Sequence, residues 1–198
     1  MPGYLDPHAI TPKVRGPQGA DRALIGGRSG SGKSVLAKNL LAGYGKSAPK
    51  AYQASVVIID PNHNFDLKTD KTVYSPDAIS VPKVGSIKYR PKPEHRNAED
   101  WNGVFRKLFL HKGPMVVYID ELFAIESLFQ IRRIEGGNFL NAYLTQGRAL
   151  GKAFIASVQA PSSIPLHTLR QAEWFYMFDM PFREDRQRMS GIIGDVAE

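Results

Sequence analysis

Short apolar runs, nearly unbroken, recur along this chain: ALI at 23–25, ASVVIID at 54–60, MVVYIDE at 115–121, KAFIASVQAP at 152–161 and EWFYMFDM at 173–180. A strand with one wet face alternates apolar and polar residues, whereas a run without alternation must be covered on both faces. The stretches between the runs include helical patterns. One runs from residue 34 to about 43, with Val35, Leu36, Leu40 and Leu41 available to pack on a sheet. Another places Trp101, Val104, Phe105, Leu108 and Phe109 at three- and four-residue steps, where Trp101 is expected to pack in the core rather than stack on a cofactor. A loop and helix follow the MVVYIDE run through about residue 147, and two weaker strands are expected around Val73 and at 86–90. Strands alternating with helices in this way predict an α/β fold with a mostly parallel central sheet flanked by helices. A length of 198 residues suits one such domain and not two. Residues 1–22, rich in proline, glycine and charge, therefore read as an N-terminal arm, and 23–198 as one domain.

The turn after the first run is the most informative segment. Residues 27–34, GRSGSGKS, satisfy the full G-x-x-x-x-G-K-[ST] pattern of a P-loop, placed between an apolar strand and an amphipathic helix. The segment comprises Gly27, Arg28, Ser29, Gly30, Ser31, Gly32, Lys33 and Ser34. Its glycines let backbone amides converge on phosphate oxygens, Lys33 is placed to neutralise the β/γ-phosphates, and Ser34 offers a hydroxyl to Mg2+. The helix that follows directs its amino end at the same anion. ATP with Mg2+ is the expected ligand pair.

Further strand ends supply polar groups. Asp120 closes the MVVYI run and can hold Mg2+ through water, and Glu121 can then orient and deprotonate an attacking water. Adjacent acids at such a place could instead cap a helix. Gln159 ends another run and can bridge the attacking water or the γ-phosphate, although a turn hydrogen bond explains a lone glutamine equally well. Asp60 occupies a comparable position, but DPNHN is also a good turn sequence. Arg148 could stabilise a transferring phosphoryl group, most usefully from a neighbouring subunit, or be a solvated arginine at a helix end.

Other classes fit poorly. There is no N-K-x-D segment as in GTPases and no LSGGQ-like signature as in ABC ATPases. With no cysteine, disulfides and thiolate metal sites are excluded, and the five histidines are scattered without metal-ligand spacing. No segment approaches the apolar length needed to cross a bilayer, which points to a soluble protein able to dock on a membrane partner. The net charge of +7 favours contact with a polyanion without requiring it.

The ordered set GRSGSGKS, VVYIDE and GRALGKAFIASVQAP resembles the FtsK–HerA superfamily of DNA-pumping P-loop ATPases. The last segment distinguishes it: arginine, a glycine three residues on, an apolar strand, then glutamine close to proline. The likeness spans about 24–180, with 61–113 poorly matched. A compact single-domain form is most similar to the genome-packaging ATPases of tailless, membrane-containing double-stranded DNA viruses. That resemblance implies a RecA-like (ASCE) P-loop NTPase core assembling into a ring, commonly hexameric, that drives double-stranded DNA through a central channel into a preformed capsid. It implies Lys33 and Ser34 at the phosphates and Mg2+, Asp120 on the Mg2+ side, Glu121 as water-activating acid and Gln159 as polar sensor. Arg148 matches the family's aRaxG arginine, a finger acting in trans, although Gly147 precedes it here. The chain also has Ala-Pro after Gln159 where cellular relatives carry Arg-Pro. Expected partners are duplex DNA, further copies of the chain, and a capsid vertex or membrane protein, with the protein in host cytoplasm or virion. An ATPase of a protein secretion, conjugation or virion-extrusion apparatus is the alternative, and a non-hydrolytic nucleotide-dependent module is a third. Arg132 and Arg133 in FQIRRIEGGN are candidates for gripping DNA phosphates. Arg183, Arg186 and Arg188 form a second basic cluster, for a subunit boundary or for solvent.

Overall fold

The computed structural model describes residues 20–44, 53–131 and 137–194. Nearly all of the expected arm, and Arg132 and Arg133, lie outside these residues. The described chain runs β1 (Arg22–Gly26), α1 (Lys33–Ala42), β2 (Ser55–Ile59), β3 (Lys71–Val73), β4 (Gly85–Tyr89), α2 (Ala98–Leu110), β5 (Met115–Ile119), α3 (Phe123–Ile131), α4 (Phe139–Gln146), β6 (Lys152–Val158), α5 (Leu166–Leu169), β7 (Trp174–Met177) and α6 (Arg183–Ile193). The five apolar runs and the two weaker ones all become strands of one seven-stranded sheet, ordered β3-β4-β2-β5-β6-β1-β7. Every pairing is parallel. All strand carboxyl ends therefore emerge along one edge.

Two cores follow from the period-two alternation of strand side chains. On β5, Met115, Val117 and Ile119 join the core built with α2, α3 and α4, whereas Val116 and Tyr118 join the core built with α1. The expected α2 face holds: Trp101, Val104, Phe105 and Leu108 are buried there, and the Trp101 ring packs edge-on against Tyr89 at 5.5 Å between centroids. Asn97 caps this helix by accepting from the Asp100 N–H at 2.8 Å. Trp101 thus serves the core and not a ligand. Trp101→Ala is expected to lower the unfolding free energy by about 3–5 kcal/mol. A urea titration reads this as a lower midpoint at unchanged slope.

Helix α1 corrects one expectation. Val35 does not pack on the sheet but is 64% exposed. Lys33, Ala37 and Leu41, at i, i+4 and i+8, form the buried row instead. At about 100° per residue, Val35 points roughly 200° away from Ala37, toward solvent.

Candidate active site

The P-loop begins where β1 ends and is tied to its neighbours through the backbone. Gly27 N–H donates to the Val158 carbonyl at 3.1 Å, and Arg28 N–H donates to the Asp179 carbonyl at 2.9 Å. Gly27 has φ +147°, and a Cβ there would meet Phe178 Cβ at 2.7 Å. Gly32, at φ 104°, occupies the left-handed position from which α1 starts, as the Val35 and Leu36 N–H groups turn back to its carbonyl. Arg28 pairs with Asp179 at 2.7 Å, but both side chains are largely exposed, so the pair adds little.

Lys33 folds back over its own loop. Its Nζ donates to the carbonyls of Gly27 at 2.6 Å and Arg28 at 2.8 Å. Burial lowers its pKa, while Glu121 and Asp120 act in the opposite direction. The ammonium is thus desolvated and satisfied mainly by carbonyls, partners that phosphate oxygens can replace.

Both acids emerge at the end of β5, two strands from β1, with Gln159 at the end of the intervening β6. Asp120 is nearly buried, and its Oδ1 accepts from Tyr118 Oη at 2.8 Å and from Ser157 Oγ at 3.1 Å. The Ser157 hydroxyl in turn accepts from the Glu121 N–H at 2.9 Å. Glu121 has φ 67°, a left-handed conformation uncommon for a residue with a side chain. The backbone and side-chain amides of Gln159 lie beside it and favour its charged form. Its Oε2 is buried with no partner among the described residues. Burial raises the pKa of Glu121, with the neighbouring Gln159 amides opposing, and burial raises that of Asp120 against the Tyr118 and Ser157 bonds. An unpartnered buried carboxylate oxygen is costly, and such costs cluster at sites of function.

Lys33, Ser34, Asp120, Glu121 and Gln159 line a single cavity of about 270 Å³. It is smaller than the roughly 300–1,000 Å³ of pockets that enclose a whole ligand, and its size suits a triphosphate end with a cation. Ser34 and Asp120 provide a hydroxyl and a carboxylate, the kind of sparse oxygen set with which Mg2+ keeps several waters. No cluster of three or more metal-ligating side chains occurs among the described residues. A larger groove of about 460 Å³ lies by α5 and α6, around Arg170 and Arg188, apart from the P-loop.

Four candidates behave differently. Arg148 lies in a short turn, Gly147–Leu150, ahead of β6, where it is ion-paired with Glu173 just before β7. That is the opposite edge of the sheet, and seven strand residues separate it from the Gln159 end, roughly 20 Å. Arg148 cannot reach the cavity of its own chain. Asp60 is fully buried and spent on structure, accepting from the Asn64 and Phe65 N–H groups and pairing with Arg90 at 2.8 Å. In α6, Arg186 and Arg188 donate to chain carbonyls, Met180 and Pro181 for the first and Ile164 for the second.

Tyr118 and Ser157 were not anticipated from the sequence. Each stands two residues before a candidate, Asp120 or Gln159, and so leaves its strand on the same face. That parity was the available signal. Asn62 and Asn64, which also line the cavity, hide inside what reads as an ordinary turn.

No family model matches the chain, and no curated protein matches its sequence. Solved structures do. The genome packaging NTPase B204 from Sulfolobus turreted icosahedral virus 2, in complex with AMPPCP, superposes over 88% of this chain and 83% of its own with a TM-score of 0.68 at 20% identity. The fold is shared with B204. The B204 structure described as the DNA-packaging ATPase from Sulfolobus Turreted Icosahedral Virus gives 0.62 over 88% and 82%, at 22% identity. EssC (ATPases 2 and 3) from Geobacillus thermodenitrificans gives 0.53 at 15% identity, covering 90% of this chain but 35% of its own. At these identities the likeness lies in the fold, a parallel sheet flanked by helices of the RecA-like P-loop kind. B204 is matched over more of its own length than EssC.

Proposed function

We propose that this chain hydrolyses ATP to drive double-stranded DNA, acting as a genome-packaging motor. The observation that carries the reading is the convergence of the P-loop lysine, Asp120, Glu121 and Gln159 on one cavity. In the proposed reaction Lys33 exchanges its loop carbonyls for β/γ-phosphate oxygens. Ser34 and Asp120 would hold Mg2+, which would offset charge on the phosphates. Glu121 takes a proton from water as the water oxygen bonds to the γ-phosphorus. The bond from that phosphorus to the β,γ-bridging oxygen breaks, and ADP leaves with the electron pair. Gln159 orients the Glu121 carboxylate and registers whether a γ-phosphate is present.

The packaging part of the proposal is supported by the fold shared with B204 and by the net charge of +7. It includes assembly into a hexameric ring, in which Arg148 of one copy completes the site of the next, and docking at a capsid vertex or membrane protein of the virion or infected cytoplasm. Turnover of ATP should rise severalfold with long duplex DNA at low salt and lose that rise as salt increases, since phosphate-backbone contacts release counterions. A verified oligomer whose turnover ignores duplex at every salt concentration would sink the packaging reading. Co-purification with a membrane channel would then favour a secretion or extrusion ATPase.

A further inference from the structure

The loop at 60–65 is held more firmly than a connecting turn requires. Asp60 Oδ1 accepts from the Asn64 N–H at 3.1 Å, and Oδ2 accepts from the Phe65 N–H at 3.2 Å and Arg90 Nε at 2.8 Å. The Phe65 carbonyl accepts from both Lys88 Nζ at 3.0 Å and an Arg90 terminal nitrogen at 3.2 Å. His63 Nε2 lies 2.9 Å from the Pro91 carbonyl. Burying Asp60 with Arg90 and Lys88 beside it is costly unless the groups are well paired, and here the pairing goes into shaping one short loop. Phe65 also packs at a tilt against Tyr118, 4.5 Å between ring centroids, and Tyr118 donates to Asp120.

The loop carries strain as well. Among the described residues, His63 at φ 59° and Glu121 at φ 67° are the non-glycine positions with positive φ. Both stand on loops that border the same cavity, and strain of this kind persists where the surroundings over-determine it. What the strained, braced loop presents is Asn62 and Asn64, which line the cavity and whose side chains make no hydrogen bond to another described residue.

Sheet order gives their place in the site. From the P-loop strand β1 the order runs β6, β5, β2, so the line of strand ends runs P-loop, Gln159, Asp120 and Glu121, then Asn62 and Asn64. A triphosphate anchored at Lys33 directs its terminal phosphate toward the acids, and the loop lies beyond them. Carboxamides are suited to that position. Their N–H2 groups donate to phosphate oxygens, and being neutral they place no extra charge beside Glu121.

We infer that the loop at 60–65 is a further wall of the nucleotide site, in which the Asn62 and Asn64 amides recognise the terminal phosphate of a nucleoside triphosphate. The inference rests on the cavity being a nucleotide site, as proposed above. The test titrates the full chain, with Mg2+, against AMPPCP and against ADP, for the wild type, Asn62→Ala, Asn64→Ala and the double variant. Circular dichroism checks that each variant is folded. Both side chains are exposed, so folding should be untouched. A hydrogen bond to a charged group is worth roughly ten-fold in affinity or more. The double variant should therefore lose about ten-fold or more for AMPPCP and less than about two-fold for ADP. Asn64→Asp should be worse than Asn64→Ala for AMPPCP, because it sets a carboxylate against phosphate. Equal losses for both nucleotides, or no loss for either, in a wild-type background that binds both would overturn the inference alone. A wild type that binds neither nucleotide would overturn the site reading with it.

Discussion

Glu121→Gln should reduce ATP turnover by about two to four orders of magnitude while nucleotide binding survives. Glutamine keeps the shape of the side chain, but it cannot accept the proton of the attacking water. Single-turnover measurements at saturating ATP read the loss in kcat, and titration with AMPPCP reads the retained binding. The pH profile adds a sign. Burial holds the Glu121 carboxyl above its ordinary range in the free protein, and kcat/KM reports the free protein. Activity should thus fall, as pH drops, at a higher pH than an ordinary carboxylate would give. Stability runs the other way. A carboxyl raised on folding favours the folded state at pH below its unfolded value, and that contribution is lost as pH rises through the folded value. At neutral pH the buried anion is a cost, and Glu121→Gln should raise the urea midpoint even as it stops turnover. A variant that turns over ATP within a few-fold of wild type would remove Glu121 from the role of base.

Arg148→Ala should retain nucleotide binding and lose on the order of a thousand-fold in oligomer-dependent turnover, the scale of an arginine supplied in trans. Its place at the amino edge of the sheet, paired with Glu173, removes it from the site of its own chain. A loss of turnover in a variant that circular dichroism shows to be folded then points to action across an interface. Mixing Arg148→Ala with Glu121→Gln offers a direct check. In a mixed ring, a site that keeps Glu121 can receive Arg148 from its neighbour, and activity should return. No recovery in rings shown to contain both variants would refute the trans assignment.

The chain's linear order carried a large part of this. GRSGSGKS specifies a phosphate loop because glycine geometry, a lysine and a hydroxyl at set spacing need few long-range contacts to be recognised. The unbroken MVVYI and KAFIASV runs specify buried parallel strands, because strands covered on both faces have no polar side to show. Asp120, Glu121 and Gln159 were legible as groups at strand ends, and one edge of the sheet does bring them together.

What the sequence by itself determined is therefore the strand-and-helix alternation, the phosphate loop and the polar residues at strand ends, all encoded within a few neighbouring residues. Only the tertiary structure decided which strands lie side by side. That order made Asp60 a brace for its own loop, set Ser157 and Tyr118 against Asp120, brought Asn62 and Asn64 to the cavity and carried Arg148 to the far edge. Apart from the local Tyr118–Asp120 bond, each of these depends on hydrogen bonds or proximity between segments far apart in the chain. Local spacing holds no record of such contacts, because strand order is set by how whole layers bury their faces.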